Sequence, residues 1–288
     1  MENILEVRNL HKRFAGFALT DVTFSIPRGY IMGLIGPNGA GKTTTLKLIL
    51  DLVKRDSGEI SVCGLDPAEQ GAQVRARVGF VHDEPRFYRH LTLSQNASLV
   101  ARFYRTWDEA AFRRLAAAFE LPLEKWFGAC SRGNRMKFAL ALALSHGAEL
   151  ILMDEPTSGL DPVFRRELLD TLSALLHDEG ASILFSTHIT ADLERISDYV
   201  TLLQEGRVVF SAVKDQVIEN WGLVKGGLEL LEGLPPGFFL GVHRGAHGFE
   251  ALTNDAGEAH RRFGSAVLID RPSLEDIIYY TFRGEVHD

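Results

Sequence analysis

Gly36-Pro37-Asn38-Gly39-Ala40-Gly41-Lys42-Thr43 fits the pattern G-x-x-x-x-G-K-[ST], and its surroundings decide the fold. Upstream, Tyr30-Ile31-Met32-Gly33-Leu34-Ile35 is almost wholly apolar, as a strand buried on both faces requires. Downstream, residues 42–53 place Leu46, Ile49, Leu50 and Val53 on one face of a helix. Strand, glycine-rich turn and helix in that order form a phosphate cradle. The glycines let the backbone close tightly with several N–H groups pointing inward, and the helix N-terminus adds the positive end of its dipole. Lys42 then reaches the β- and γ-phosphates, and the Thr43 hydroxyl is placed to ligate magnesium. A turn that only reverses the chain needs neither the buried strand nor the helix.

Further along, Leu150-Ile151-Leu152-Met153-Asp154-Glu155 is an apolar strand ending in two acids. A carboxylate at a strand end beside a phosphate loop suits magnesium, which assigns Asp154 to the metal. Glu155 is then the candidate general base that polarises the attacking water. Strand patterns also occur at 4–7, 19–26, 58–62, 78–82, 182–186 and 199–203, and Glu205-Gly206 turns the chain into a hairpin. Residues 165–176 read as a helix, giving a strand–helix–strand crossover. Between 83 and 146 the pattern is helical, over 94–104, 108–119 and 135–145. The expected fold is therefore an α/β domain over 1–215 with a helical subdomain at 83–146. Past 215, Gly226-Gly227 and Leu234-Pro235-Pro236-Gly237 interrupt short, weak strands. Residues 216–288 read as a small α/β appendage whose last helix opens on a Ser273–Asp276 capping box.

Bulk properties limit the partners. Of 288 residues, 45% are hydrophobic and 24% charged, which is ordinary for a globular chain. A formal charge of −7 argues against a nucleic-acid partner, because such binding rests on neutralising phosphates. Cys63 and Cys130 are far apart in sequence and in no metal-ligand spacing, so both are read as reduced thiols. The charged N-terminus lacks the apolar core of a signal peptide, and no apolar run approaches the ~20 residues that span a bilayer. If the protein works at a membrane, it is expected to do so through something else.

Taken together, these motifs resemble the ATP-binding-cassette (ABC) ATPases. Residues 36–44, with Gly36, Pro37, Asn38, Gly39, Ala40, Gly41, Lys42, Thr43 and Thr44, match the family's phosphate loop. Residues 150–155 match its second nucleotide motif, and Pro156-Thr157-Ser158-Gly159-Leu160-Asp161 is similar to its dimer-contact loop. His188 stands at the switch histidine, and Phe14 where the family sets an aromatic against adenine. The signature, commonly LSGGQ, aligns with Cys130-Ser131-Arg132-Gly133-Asn134 and keeps only Ser131 and Gly133. Asp83 occupies the place of a glutamine that contacts magnesium and senses the membrane partner, whereas nearby Gln95 lies in a helical stretch.

The resemblance implies a P-loop NTPase fold: a RecA-like mixed sheet core, an antiparallel β subdomain and a helical subdomain. It implies ATP and Mg2+ as ligands, with Thr43, Asp154 and Asp83 at the metal. Glu155 and His188 become the catalytic pair, while Ser131, Gly133, Asn134 and Asp161 act across a homodimer or heterodimer. A separate transmembrane permease, of the ABC-2 exporter type, would hold the chain at the cytoplasmic face of the membrane, receiving a short helix near residues 82–93. Soluble machines of the superfamily are the competing class, but translation factors carry two cassettes and repair ATPases carry long coiled-coil insertions, and neither pattern occurs here. A gate that binds ATP without hydrolysis loses ground because Glu155 and His188 are both present.

Overall fold

Alternation of apolar and polar residues makes β1 (Asn3–Phe14) a strand with one buried face, on which Leu5, Val7 and Leu10 are fully enclosed. The computed structural model describes residues 2–246, 248–283 and 285–287, with the side chains of all but 175–179, 283 and 285–287. β1 pairs antiparallel with β2 (Phe17–Pro27) on one side. Its other edge takes a strand from further along the chain, β4 (Ser57–Val62), in the order β2-β1-β4. Next come β3 (Ile31–Ile35), α1 (Lys42–Ile49), that edge strand β4 (Ser57–Val62), α2 (Pro67–Arg77) and β5 (Val78–Val81). The helical insertion holds α3 (Leu93–Ala101), α4 (Glu109–Ala118) and α5 (Arg132–Ser145). The chain then alternates β6 (Leu150–Asp154), α6 (Pro162–Glu179), β7 (Ser182–Thr187), α7 (Thr190–Ile196), β8 (Tyr199–Gln204) and β9 (Arg207–Val213).

The second sheet runs β5-β6-β7-β3-β8-β9, parallel from β5 through β8. Every residue of β3, β6 and β7 is buried, as the continuous apolar runs require of central parallel strands. The register sets Ile35 beside Thr187 and Asp154 beside Ser186, so the C-terminal ends of β3, β6 and β7 meet at one rim. Ligands gather at that rim in open α/β sheets.

Several boundaries differ from the sequence reading for local reasons. α1 stops at Ile49 rather than 53, because Asp51 turns left-handed at φ 55° and Leu52 N–H closes back on the Lys47 carbonyl at 2.9 Å. α5 begins at Arg132 rather than 135, because the Ser131 hydroxyl caps it by accepting from Asn134 N–H at 3.2 Å. α2 was not anticipated, although Asp66 as cap and Pro67 in the first turn signal it. Gln95 belongs to a capping box with Thr92 that opens α3. His146, at the end of α5, is buried and stacks on Tyr104 at 3.9 Å with Nδ1 unpartnered. Burial accordingly depresses its pKa.

The approach to α3 hangs on Asn96. Buried, it accepts from Tyr88 N–H and donates to the carbonyls of Tyr88 and Thr92. Asn96→Ala leaves these groups unpaired and is expected to cost about 1–3 kcal/mol, read as an earlier urea midpoint. Burial also pushes the Cys63 thiol up to about 11. At pH 8 the native chain should therefore alkylate at Cys63 at least about 100-fold more slowly than the unfolded chain, measured by peptide mass.

The chain divides into two compact units, one closing at Ser211 and one running from Ala212, so residues 212–215 group with the second. That second unit contains α8 (Lys214–Asn220), β10 (Gly222–Gly226), β11 (Gly241–Gly245), β12 (Gly248–Thr253), α9 (Ala256–Phe263), β13 (Leu268–Asp270), α10 (Leu274–Arg283) and β14 (Glu285–His287). Its strands form one sheet, β13-β10-β12-β11-β14, over a core of Val224, Val242, Phe249, Ala251 and Ala259. Ser273 and Asp276 exchange side-chain-to-backbone hydrogen bonds at the start of α10.

Candidate nucleotide-binding site

The loop from β3 to α1 ends in Gly41, the cap of α1, at φ 109° and with no side-chain cap. The first-turn N–H groups of α1 are left to an incoming anion. A Cβ at Gly41 would lie 2.5 Å from Leu19 Cδ2 and 3.0 Å from Phe17, so both backbone angle and space demand glycine. The loop bounds a cavity of about 650 Å3. Pro37, Asn38, Gly39, Ala40, Gly41, Lys42, Thr43 and Thr44 line one side, with Gly16, Phe17, Asp83, Glu155, Ser158 and His188 around them.

Lys42 is buried, and its Nζ donates to the Gly36 carbonyl at 2.7 Å and the Pro37 carbonyl at 3.3 Å. Its counter-charge is Glu155, with Oε1 3.4 Å away. Glu155 Oε2 lies 2.7 Å from His188 Nδ1, which donates to it in the tautomer protonated there. Glu155 itself is left-handed at φ 47°, a costly angle for a non-glycine residue. Its N–H donates to the Ser186 carbonyl and hydroxyl at 3.1 and 3.0 Å, which holds the bend. A polyanion entering the cradle would compete with Glu155 for Lys42 and release the carboxylate.

Asp154 is buried at the end of β6, where Oδ1 accepts from Thr43 Oγ1 at 3.0 Å and Ser186 Oγ at 2.7 Å. Two hydroxyls are a sparse set for a buried carboxylate, so the site favours a cation. One carboxylate and one hydroxyl beside a phosphate cradle is a donor set suited to Mg2+ shared with a nucleotide, since that ion keeps several waters and takes few protein ligands. When bound, the ion would supply charge neutralisation at the phosphates.

Comparison with known proteins agrees with this geometry. Residues 19–158 match the ABC transporter family. The Nod factor export ATP-binding protein I of Burkholderia orbicola is 33% identical over 222 residues, 75% of this chain and 73% of that protein. The sulfate/thiosulfate import ATP-binding protein CysA of Burkholderia mallei is 37% identical over 214 residues, 71% of this chain and 61% of that protein. A solved ATP-binding subunit of an ABC transporter superposes with a TM-score of 0.68 at 33% identity, covering 75% of this chain and 92% of that one. The chain belongs to the ABC transporter ATP-binding family. It is an ATPase subunit, and such subunits pair with one another and serve a transmembrane permease. Among the described residues no helix is long and apolar enough to cross a membrane.

Not every expected residue of this cassette reaches the cavity. Ser131, Gly133, Asn134 and Asp161, expected to act across a dimer on the partner subunit's nucleotide, lie outside the lining of their own subunit's cavity. Ser131 caps α5, and Asp161 caps α6 by accepting from Phe164 N–H at 3.0 Å. A Cβ at Gly133 would stand 2.8 Å from the Phe164 ring, so the start of α5 packs closely on α6. Phe14, at the end of β1, is 41% exposed and also outside the lining, while Gly16 and Phe17 are in it. Sequence reading missed Phe17 and Ser186, though an aromatic in the β1–β2 hairpin and a hydroxyl two residues before His188 are both visible signals. It also missed Asp192, fully buried in α7. That carboxylate accepts from Thr157 at 2.5 Å and Arg165 at 2.6 Å, tying the 156–161 loop to α6.

Proposed function

We propose that this cassette drives export through a separately encoded permease of the ABC-2 type, from the cytoplasmic face of the membrane. In this reading Lys42 and the 36–44 backbone hold the phosphates of ATP, and Thr43, Asp154 and Asp83 serve its Mg2+. Glu155 takes a proton from the attacking water, and His188 orients that carboxylate while sensing the γ-phosphate. Ser131, Gly133 and Asn134 of one subunit close over ATP held by the other, with Asp161 at the contact, in a homodimer or a heterodimer.

The observation that carries the permease partner is the surface of the helical insertion. Tyr88, Phe103 and Trp126 are 61%, 85% and 64% exposed there, which suits a partner that covers them. Export is favoured by the Asp83-Glu84-Pro85 loop and the reduced signature, which resemble exporter cassettes, and by the likeness to a Nod factor exporter subunit. Direction is tested in inverted membrane vesicles, whose cassettes face outward, offered labelled lipids, peptides and antibiotics. ATP-driven accumulation in the lumen is the expected result, and ATP-driven loss of preloaded label would mean import.

Adenine is assigned to the β1–β2 hairpin at Phe14, where Lys12 Nζ lies 5.5 Å from the ring centre. Phe14→Ala should weaken binding of a fluorescent ATP analogue about 5–100-fold, the usual range for a base–aromatic stack. Unchanged affinity with a loss in Phe17→Ala would move the adenine onto Phe17.

A further inference from the structure

Asp192 is fully buried and outside the lining of the nucleotide cavity, yet it joins the two chain segments that carry Glu155 and His188. One segment leaves β6. After the left-handed bend at Glu155, Ser158 N–H donates to the Glu155 carbonyl and Leu160 N–H to the Thr157 carbonyl, each at 3.2 Å. Thr157 is buried within these turns. The other segment leaves β7. Ile189 N–H donates to Thr187 Oγ1 at 3.0 Å and Asp192 N–H to the Ile189 carbonyl at 3.2 Å. Thr157 is two residues past Glu155, and Asp192 is four past His188.

Both oxygens of Asp192 are engaged. Oδ2 accepts from Thr157 Oγ1 at 2.5 Å, and Oδ1 accepts from Arg165 Nε of α6 at 2.6 Å. Such charge-assisted bonds are short and directional. α7 itself is seated against the sheet, since a Cβ at Gly33 of β3 would fall 1.8 Å from Leu193 Cδ2. The carboxylate is therefore a fixed point to which the 156–161 loop and the start of α6 are tied. A buried ion pair is a weak source of stability, because desolvation offsets the Coulomb gain, but its geometry restricts where its partners can lie. The site needs that restriction. The His188 side chain is 47% exposed, so packing does little to fix its ring, and its 2.7 Å contact with Glu155 Oε2 depends on how the two backbones are set.

We propose that Asp192 is a positioning residue for ATP hydrolysis, holding Thr157 and Arg165 so that the Glu155 carboxylate and the His188 ring stay in contact at the rim of the cavity. Resting on the reading above, in which Glu155 takes a proton from the attacking water and His188 orients it, this role places Asp192 behind the reacting groups rather than among them. A displacement of about 1 Å in a catalytic group can cost about 100-fold in rate. Nucleotide affinity is supplied elsewhere, by Lys42 and the loop that opens α1, so loss of Asp192 should separate rate from binding.

The test is single-turnover ATP hydrolysis by the full chain, with affinity for a fluorescent ATP analogue and the urea midpoint measured on the same samples. Asp192→Asn turns an amide NH2 toward one of two donors. It should lower the rate about 10–100-fold while affinity stays within about twofold of wild type. Thr157→Val, which removes the hydroxyl at nearly constant shape, should lower the rate in the same sense, and Thr157→Ser should keep it within about twofold of wild type. In the Glu155→Gln background Asp192→Asn should cause no further loss, because its effect runs through that carboxylate. An unchanged rate in both Asp192→Asn and Thr157→Val overturns the proposal. So does an equal loss in the Glu155→Gln background, or a fall in affinity and urea midpoint that matches the fall in rate, either of which makes Asp192 a general support of the fold. If Asp192→Asn does not fold, Thr157→Val against Thr157→Ser carries the comparison, and failure of Thr157→Val to fold as well also counts against the role. Wild-type turnover in Glu155→Gln would remove the base, and this role of Asp192 with it. Loss in Glu155→Gln with full rates in the Asp192 and Thr157 variants would refute the role of Asp192 alone.

Discussion

Glu155→Gln is expected to lower ATP turnover at least about 100-fold while nucleotide binding survives. The amide keeps the shape of the side chain but cannot accept the proton of an attacking water. Affinity for ATP should hold or rise, because Glu155 Oε1 is the counter-charge of Lys42 at 3.4 Å and competes with phosphate for that ammonium. A neutral amide competes less. Light scattering should then show an ATP-dependent dimer that persists in the variant and decays in the wild type. Undiminished turnover would remove Glu155 from the chemistry. Loss of binding together with turnover would make it a structural partner of Lys42 instead.

Lys42→Ala should abolish nucleotide binding by at least about 100-fold, since two charge-assisted contacts at about 1.5–3 kcal/mol each disappear. The buried ammonium also holds the loop by donating to the Gly36 and Pro37 carbonyls, so part of the loss is a cradle no longer preshaped. Lys42→Arg is expected to fail as well, because a planar fork cannot take the place of a compact ammonium in this space. Titration calorimetry with ATP checks both variants. Binding within threefold of wild type in either would show that the backbone N–H groups of α1, without the cation, hold the phosphates.

The two largest effects fall on residues that the sequence marked, for a physical reason. A phosphate cradle is made by a short contiguous stretch, and a buried parallel strand is a short apolar run, so Gly36 to Thr44 and Leu150 to Glu155 announce themselves locally. Helix ends were harder. The start of α5 depends on a Ser131–Asn134 contact that lacks the usual acidic partner, and the end of α1 depends on a left-handed Asp51. The appendage was legible mainly at its last helix, because three- to six-residue strands broken by glycine and proline leave weak periodicity.

The sequence by itself determined the family, the phosphate loop, the pair of acids and the histidine, since each is carried by neighbours along the chain. Only the tertiary structure decided how they meet. It brought Lys42, Glu155 and His188 into one chain of contacts, set Ser186 under Asp154, and placed Phe17 rather than Phe14 on the cavity wall. It also gathered Thr157 and Arg165 around the buried carboxylate of Asp192. The reason is that sheet register and helix packing join residues remote in sequence.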